Sequence, residues 1–192
     1  ISDIEVYDNK LTFAAQRNTS GEERTATLRL TYGDIESLID IKQGIKEGKY
    51  DFDIQATVFG GEYYGLASSD NFNYFVQLGN AEINENNDVP DGIYYYFDIY
   101  AKYRGGDNPI LPNGTYVFDK SGNCPVGCFD AQYSKAHFND EYGNPTTSFV
   151  FIGGTVTVTD NRFEAEVTMT DGTVHHIVYE GELHVPSAVN SP

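Results

Sequence analysis

The chain of 192 residues has no tryptophan, one methionine and two cysteines, and it is poor in basic residues. Its 12 lysines and arginines are outnumbered by 29 aspartates and glutamates, which gives a formal net charge of −17. Nucleic-acid binding needs clustered lysines and arginines, and docking on anionic lipid needs them too, so the charge argues against both partners. No apolar run approaches the roughly 18 residues of a transmembrane helix, so we expect no membrane insertion of this chain.

Sequence signatures of catalysis are also missing. The chain has no G-x-S-x-G elbow and no H-E-x-x-H motif, and Gly60–Gly65 has the glycine spacing of a P-loop but is followed by Leu66-Ala67. Two carboxylate pairs share strand faces, as a glycosidase pair can, but they occupy hairpin positions that we expect to be solvated. These pairs are Glu164/Glu166 and Glu180/Glu182. We therefore predict a protein that is not an enzyme and that has no cofactor.

Residues that favour β-strands are abundant. The chain has 15 tyrosines and 12 phenylalanines, with frequent valine, isoleucine and threonine. Apolar and polar residues alternate with period two almost everywhere, most clearly in a hairpin predicted over Phe163–Val185 with its turn at Asp171-Gly172. Glu36–Lys46 fits a short helix as well as a strand. The predicted fold is all-β, an antiparallel β-sandwich or an up-and-down barrel. Further strands are predicted at about 51–59, 62–67, 72–79, 93–103, 115–119, 131–137 and 148–159.

Charge and glycine content divide the chain into two units. Residues 1–43 carry 8 acidic and 5 basic residues, whereas residues 44–192 carry 21 and 7. The stretch Gly44–Gly48 is the natural boundary between them. We predict a partial β unit over 1–43, a sandwich or barrel domain over 44–185, and a disordered tail over 186–192.

The first unit carries the features of a known family. Asn18-Thr19-Ser20-Gly21 precedes Arg24-Thr25-Ala26, which opens a threonine-rich strand, and the last strand ends at Gln43. Residues 11–43 thereby resemble the closing half of a BACON domain, the Bacteroidetes-associated carbohydrate-binding domain that is often N-terminal. The resemblance covers about a fifth of the chain. It implies that residues 1–43 form a partial Ig-like β unit, an appendage of the kind found on surface lipoproteins and glycan-degrading enzymes of gut bacteria.

The second unit resembles domains of uncharacterised lipoproteins from the same setting. The matching segments are Pro112–Tyr116, Gly153–Val158 and Tyr179–Leu183. Both resemblances imply an exported protein, either periplasmic or anchored at the outer membrane and cell surface. The chain starts at Ile1 without an initiator methionine or a signal-peptide core, so we expect the signal or lipid-anchor segment to lie outside this chain.

A tyrosine-rich strand is the strongest candidate for a binding site. Alternation over Gly92–Tyr103 places five residues on each face. Tyr94, Tyr96, Asp98, Tyr100 and Lys102 share one face, and the residues of the other face are expected to be core. Tyrosines at two-residue steps, with a carboxylate among them, can stack on sugar rings and hydrogen-bond sugar hydroxyls. The predicted ligand-binding residues are Tyr94, Tyr96, Asp98 and Tyr100. The predicted core residues are Tyr95, Phe97, Ile99, Ala101 and Tyr103.

The sequence allows two interpretations of this strand, a binding platform and a second layer of core. Tyr63, Tyr64 and Tyr74 can extend a platform of exposed rings. Tyrosine also suits strands in general, so the same residues can instead cover a second layer of core.

The two cysteines form a C-x3-C pair, Cys124 and Cys128. In an exported protein such a pair in a turn-rich loop favours a local disulfide, although free thiols and a metal pair stay open. Adjacent His175 and His176 must point to opposite faces of a strand, and His176 with Glu180 is a weak candidate ligand pair. The acidic loops at 84–88 and 107–108 offer oxygen ligands for calcium without a specific spacing.

We therefore predict a non-catalytic, exported cell-surface protein that binds carbohydrate or glycoprotein. One alternative is a structural or adhesion component that engages a protein partner through its sheet edges. Another is a lipocalin-like barrel that holds a small ligand. The sequence does not decide the oligomeric state.

Overall fold

The computed structural model of the chain describes residues 2–7, 10–15, 18, 22–44, 49–68, 70–81, 92–102 and 109–188. Every regular element in this part of the chain is a strand, which confirms the all-β prediction. The described part contains no helix that is long and apolar enough to cross a membrane. The strands are β1 (Ser2–Tyr7), β2 (Lys10–Ala14), β3 (Arg24–Tyr32), β4 (Ile35–Gln43), β5 (Phe52–Gln55), β6 (Val58–Ser68), β7 (Asn71–Gly79), β8 (Ile93–Ala101), β9 (Gly114–Asp119), β10 (Cys128–Asp130), β11 (Lys135–Asn139), β12 (Pro145–Thr159), β13 (Arg162–Met169) and β14 (Val174–Glu180).

The chain forms two compact units, Ile1–Lys49 and Tyr50–Pro192. The first contains two separate two-stranded antiparallel sheets, β1–β2 and β3–β4. The helix considered over Glu36–Lys46 is wrong for residues 36–43, which belong to β4. The reason is the turn at Gly33, whose φ of 59° lets the chain reverse so that β4 pairs with β3 along its whole length.

The second unit is one ten-stranded sheet that closes on itself. Its strand order is β5-β14-β13-β12-β9-β10-β8-β7-β6, and β11 pairs with both β12 and β8. The two end strands, β5 and β6, are consecutive in the chain and are joined by Ala56 and Thr57. The Ala56 amide donates to the Val178 carbonyl at 2.8 Å, and the Thr57 amide donates to the Gly79 carbonyl at 2.8 Å. The arrangement is therefore barrel-like.

Most predicted strands correspond to observed ones. The hairpin predicted over Phe163–Val185 is confirmed as β13 and β14, which pair from Arg162 opposite Glu180 to Thr168 opposite Val174. The strand predicted at 131–137 is confirmed over residues 135–137, which belong to β11, and is wrong at 131–133, where the chain forms a turn. The Asp130 carboxylate accepts the Gln132 amide at 2.9 Å, and this turn separates β10 from β11.

The inner face of the closed sheet holds the hydrophobic core. Phe97 of β8 lies at its centre, with ring centroids 5.3–5.5 Å from those of Phe129, Phe151 and Phe163. Burying one such side chain contributes roughly 1.5–3 kcal/mol, so a core of this composition dominates the stability of the unit. The predicted inner face of β8 is confirmed for Tyr95, Phe97, Ile99 and Ala101, and Tyr103 lies outside the described residues.

The predicted tail begins later than Pro186. The Tyr63 amide donates to the Pro186 carbonyl at 2.8 Å, and the Ala188 amide donates to the Tyr63 carbonyl at 2.9 Å. Ser187 forms a parallel bridge with Tyr63. Residues 186–188 are therefore ordered along β6, because their backbone groups pair with an edge that β7 does not cover. Residues 189–192 of the predicted tail lie outside the described part of the chain.

Candidate functional site

Strand β8 carries the predicted ligand-binding residues, and neighbouring side chains cover part of its outer face. Tyr94 and Asp98 are 0% and 4% exposed, while Tyr96 and Tyr100 are half-buried. The strand has β7 on one side and β11 followed by β10 on the other, so its outer side chains are crowded by neighbours. The platform of fully exposed tyrosines is therefore wrong for Tyr94, and Tyr96 remains the accessible ring nearest to it.

Tyr94 is a packing residue on the outer side of the sheet. A Cβ atom at Gly79 would lie 2.4 Å from the Tyr94 ring, and one at Gly92 would lie 2.7 Å from its hydroxyl. Only glycine leaves room for the ring at both places. The Tyr94 hydroxyl has no hydrogen-bond partner among the described residues, and burial raises its pKa to about 12. These contacts exclude Tyr94 from a surface that a ligand can reach.

Aromatic rings from neighbouring strands line up on the outer face beside Tyr96. Phe75 of β7 stacks with Tyr96 at a centroid distance of 5.9 Å and an angle of 27°, and His137 of β11 meets Tyr96 edge-on at 5.6 Å. Tyr64 lies on the outer face of β6 and is 50% exposed. We call Tyr64, Phe75, Tyr96 and His137 the ring row. Because adjacent strands lie about 4.8 Å apart, the four strands span about 14 Å.

Only part of the predicted extension of this platform is found. Tyr64 lies on the outer face, as the extension required. Tyr63 and Tyr74 belong instead to the core, where their ring centroids are 4.7 Å apart. The prediction is wrong for these two because alternation along β6 and β7 turns them to the inner face.

A buried carboxylate, that of Asp98, lies beside the ring row, directly across from Phe75. Asp98 Oδ1 accepts the side-chain amide of Asn73 at 2.6 Å, and the Asp98 carboxylate also accepts the Tyr100 hydroxyl. The Asp98 backbone amide donates to Ser134 Oγ at 3.0 Å. Burial raises the pKa of Asp98 and the charge of Asp130 adds to this rise, although the two hydrogen bonds act in the opposite direction. Asp98 therefore positions Asn73 and Tyr100 rather than facing solvent.

The cysteine loop packs against Tyr100. Cys128 lies opposite Tyr100 across the β8–β10 pair, and the Tyr100 hydroxyl is hydrogen-bonded to the Cys124 thiol. Asn71 donates to the Cys124 carbonyl at 2.6 Å, which holds the loop at a backbone φ of 46°. Both thiols are free in this structure, so the disulfide stays a prediction.

Thiol and metal chemistry have little support at this loop. Burial, the neighbouring Cys124 and nearby carboxylates together raise the pKa of Cys128 to about 12, so the thiol is protonated at neutral pH. Within the described ranges, no group of three or more histidine, cysteine, aspartate or glutamate side chains is arranged to hold a metal ion. The loops proposed for calcium, 84–88 and 107–108, lie outside those ranges.

His175 and His176 point to opposite faces, as the sequence predicted. His175 is buried in the core, where Nδ1 meets the Tyr95 hydroxyl at 2.8 Å and Nε2 meets Thr173 Oγ1 at 3.0 Å. Thr173 in turn donates to Asp171 at 2.7 Å. Burial lowers the pKa of His175 to about 4, so the imidazole is neutral and serves the core.

His176 joins a network of charged side chains on the outer face of β5, β13 and β14. Its Nδ1 lies 2.7 Å from Asp53 and its Nε2 lies 3.0 Å from Glu164, so both ring nitrogens are engaged. Arg162 contacts Glu164 at 3.2 Å and also pairs with Glu180. We call these five residues the charge network. The predicted ligand pair of His176 with Glu180 is wrong, because Glu180 is held by Arg162.

The pKa of His176 is raised by this environment. Burial by itself lowers it, but hydrogen bonds to Glu164 and Asp53 and the charges of those carboxylates outweigh burial. The Tyr50 ring stacks on the imidazole at 4.3 Å and 15°. His176 therefore joins β5, β13 and β14 and is not free to hold a metal ion.

Four residues at or beside the ring row were not predicted from the sequence. They are Phe75, His137, Glu62 and Asn73. Alternation within Asn71–Gly79 contains a usable signal, because Tyr74, Val76 and Leu78 form the core face and Phe75 is then an aromatic residue on the polar face. No comparable signal exists for His137, whose position beside Tyr96 depends on the pairing of β11 with β8.

Comparisons with known proteins found no match to this chain among family models, curated proteins or solved structures.

Proposed function

We propose that the protein is an exported, non-catalytic cell-surface protein that binds carbohydrate through the ring row. The observation that carries the proposal is the stacked pair of Phe75 and Tyr96 on the outside of the sheet. Aromatic rings have an electron-rich face, which suits the C–H groups on the flat face of a pyranose. Two nearly parallel rings on adjacent strands offer a continuous surface of this kind.

Polar groups beside the rings suit the hydroxyl groups of a sugar. The Glu62 carboxylate, which accepts the Tyr64 hydroxyl, is exposed at the β6 end of the ring row. At the β11 end, His137 Nδ1 is bonded to Ser148 Oγ at 2.7 Å. Burial and the charge of Lys135 lower the pKa of His137, so its ring is neutral and can donate or accept. Apolar rings between hydrogen-bonding groups are the usual composition of a small-ligand site.

The resemblance of residues 11–43 to a BACON domain supports the same proposal. Such segments accompany proteins of the bacterial surface and enzymes that act on glycans. Carbohydrate or glycoprotein is therefore the partner that we propose, and export to the cell surface is the location. The disulfide between Cys124 and Cys128 belongs to this proposal, because an exported protein meets an oxidising environment.

A glycan array tests the proposal. We expect the wild-type protein to bind at least one glycan class, and Phe75→Ala or Tyr96→Ala to weaken that binding by roughly three- to tenfold, the effect of removing one aromatic contact of about 0.5–1.5 kcal/mol. Tyr142→Ala is the matched control, because Tyr142 is 73% exposed on a turn outside the ring row.

Two results would contradict the proposal. One is a wild-type protein that binds no glycan on an array that includes mucin-type and plant polysaccharides. The other is binding that Phe75→Ala and Tyr96→Ala leave intact while both variants keep the wild-type far-UV circular dichroism. A loss in Tyr142→Ala equal to that in Tyr96→Ala would also count against the ring row.

The first unit favours a second candidate, partner binding through sheet edges. Among the described residues, each of its two sheets has only two strands, which is marginally stable in water without further packing. Large apolar side chains are exposed on these strands, and open edges offer backbone groups for pairing. Examples are Val6, Tyr7, Tyr32, Ile35 and Leu38.

Sedimentation over a range of protein concentrations tests this second candidate. If the edges pair with protein chains, we expect association that rises with concentration and that Val6→Lys together with Leu38→Lys reduces. A monomer at every concentration, for both the wild type and the double variant, would leave the first unit without a pairing role between copies.

A further inference from the structure

We infer that the ring row selects saccharides that carry no acidic group, and that Glu62 is a residue that sets this selectivity. The inference rests on the carbohydrate binding proposed above and adds the chemical class of the ligand. It is drawn from the placement of charged side chains around Phe75 and Tyr96.

Phe75 lies between two carboxylates. In the pairing of β6 with β7 it is directly opposite Glu62, and in the pairing of β7 with β8 it is directly opposite Asp98. Side chains that are directly opposite on one face of a sheet lie about 4.5–5.5 Å apart at Cβ. A sugar stacked on Phe75 therefore has a negative group on each side of it.

Neither carboxylate is neutralised by a cation in the described part of the chain. Asp98 is hydrogen-bonded by Asn73 and Tyr100, both of which are uncharged donors. Glu62 is hydrogen-bonded by Tyr64, which is also uncharged. An uncharged donor fixes a carboxylate in place and leaves its charge, so the electrostatic potential around Phe75 stays negative.

The neighbouring tyrosines show the effect of this potential. The pKa of Tyr64 is raised by its hydrogen bond to Glu62, by partial burial and by the charges of Glu62 and Asp98. The pKa of Tyr100 is raised by burial and then by the charge of Asp98. A sulfate or carboxylate placed on the same rings would meet the same unfavourable field as a phenolate.

One cation lies at the other end of the ring row. Lys135 of β11 is exposed and lies opposite Tyr96, and it is the one lysine or arginine on β6, β7, β8 and β11. It neighbours Tyr96, whereas Glu62 and Asp98 flank Phe75, so the Phe75 end carries the negative charge. The whole chain has a net charge of −17, which adds repulsion toward polyanions at low ionic strength.

Neutral and amino-substituted sugars suit the negative electrostatic potential around Phe75. A neutral sugar loses nothing to repulsion and donates its hydroxyl groups to Glu62. A protonated amine is attracted both by the carboxylate and by the electron-rich face of Phe75 or Tyr96. The ligand class is therefore a neutral or amino saccharide.

The experiment is an array that places each neutral glycan beside its amino, sulfated and uronic-acid counterparts, probed with the wild type at 50 mM and 500 mM NaCl. We expect the neutral and amino members to bind and the acidic members to bind at least tenfold more weakly at low salt. The difference should shrink at high salt because exposed charges are screened.

Two variants assign the selectivity to a residue. Glu62→Gln keeps the shape and the acceptor for Tyr64 but removes one charge, and it should raise the affinity for acidic relative to neutral members by about two- to fivefold. Glu182→Gln removes the same charge from the exposed segment after β14 and should leave that ratio unchanged.

The outcomes separate this inference from the proposal on which it rests. Equal binding of neutral and acidic members, or an acidic preference that Lys135→Met abolishes, would overturn the selectivity and leave carbohydrate binding standing. An unchanged ratio in Glu62→Gln would overturn the role of Glu62. No binding to any member would overturn carbohydrate binding and the selectivity together.

Discussion

Two regions on the outside of the same closed sheet differ in how their carboxylates are paired. In the charge network, every carboxylate meets a basic group, since Asp53 and Glu164 meet His176 and Glu180 meets Arg162. On the face that carries the ring row, Glu62 and Asp98 meet only uncharged donors. The carboxylates of the charge network are therefore paired with basic groups inside the network. Beside the accessible rings of the ring row, the carboxylates have no basic partner among the described residues. That difference agrees with the ligand site that we propose on the ring row.

The two faces also differ in what their polar groups contribute to stability. The carboxylates of the charge network are largely exposed, and exposed ion pairs are worth about 0–1 kcal/mol. Asp98 is buried, and a buried charge that loses a hydrogen bond is costly. Substitutions that remove one partner on each face should therefore have unequal effects.

The largest effect is expected from Asn73→Ala. Removing the Asn73 amide leaves the buried Asp98 carboxylate with one fewer donor, so the variant should lose about 2–3 kcal/mol of unfolding free energy at pH 7. The counterpart on the other face, Arg162→Ala, should lose at most about 1 kcal/mol. Denaturant unfolding measures both. Equal losses of unfolding free energy in the two variants would contradict the proposed difference between the two faces.

A smaller effect of opposite sign is expected from Tyr94→Phe. The Tyr94 hydroxyl is buried without a hydrogen-bond partner among the described residues, so its removal should stabilise the protein by about 1 kcal/mol. Glycan binding should not change, because Tyr94 is inaccessible. A destabilised variant would show that the hydroxyl makes a favourable contact in the folded protein, and altered glycan binding would return Tyr94 to the binding face that the sequence predicted.

The smallest effect is expected from pH in the charge network. The folded-state pKa of His176 is raised above its ordinary value of 6.5, so its stabilisation is complete below pH 6.5 and is lost as the pH rises through the folded-state pKa. The loss should be a fraction of a kcal/mol, up to about 1 kcal/mol. Unfolding measured from pH 6 to pH 9 should show this slope in the wild type and not in His176→Gln. The same slope in both would place the titration elsewhere.

The sequence predicted the local features of the fold because alternation is a local property. The inner face of β8 and the β13–β14 hairpin follow from side-chain period and turn residues within one segment. The choice between helix and strand at Glu36–Lys46 was not local, because the apolar residues there fit both periods and pairing with β3 decided it.

The sites depend on pairing between strands that are far apart in the sequence, so no single segment predicts them. Tyr94 is buried because Gly79 lies opposite it on β7, and Asp53 reaches His176 because β5 pairs in parallel with β14 across 123 residues. The same holds for Phe75, whose two carboxylate neighbours come from different strands. Alternation predicts the face on which a residue lies, and the neighbouring strands determine whether a side chain on that face is exposed.

The central claim is that a saccharide stacks on the ring row, and a single introduced tryptophan tests it most directly. The chain has no tryptophan, so Phe75→Trp supplies the one indole signal, and Tyr142→Trp supplies the same signal on the turn between β11 and β12, outside the ring row. Titration with a glycan identified on the array should change the fluorescence of Phe75→Trp in a saturable way and leave that of Tyr142→Trp unchanged. A folded Phe75→Trp variant that binds the glycan with no change in its emission would contradict stacking at the ring row.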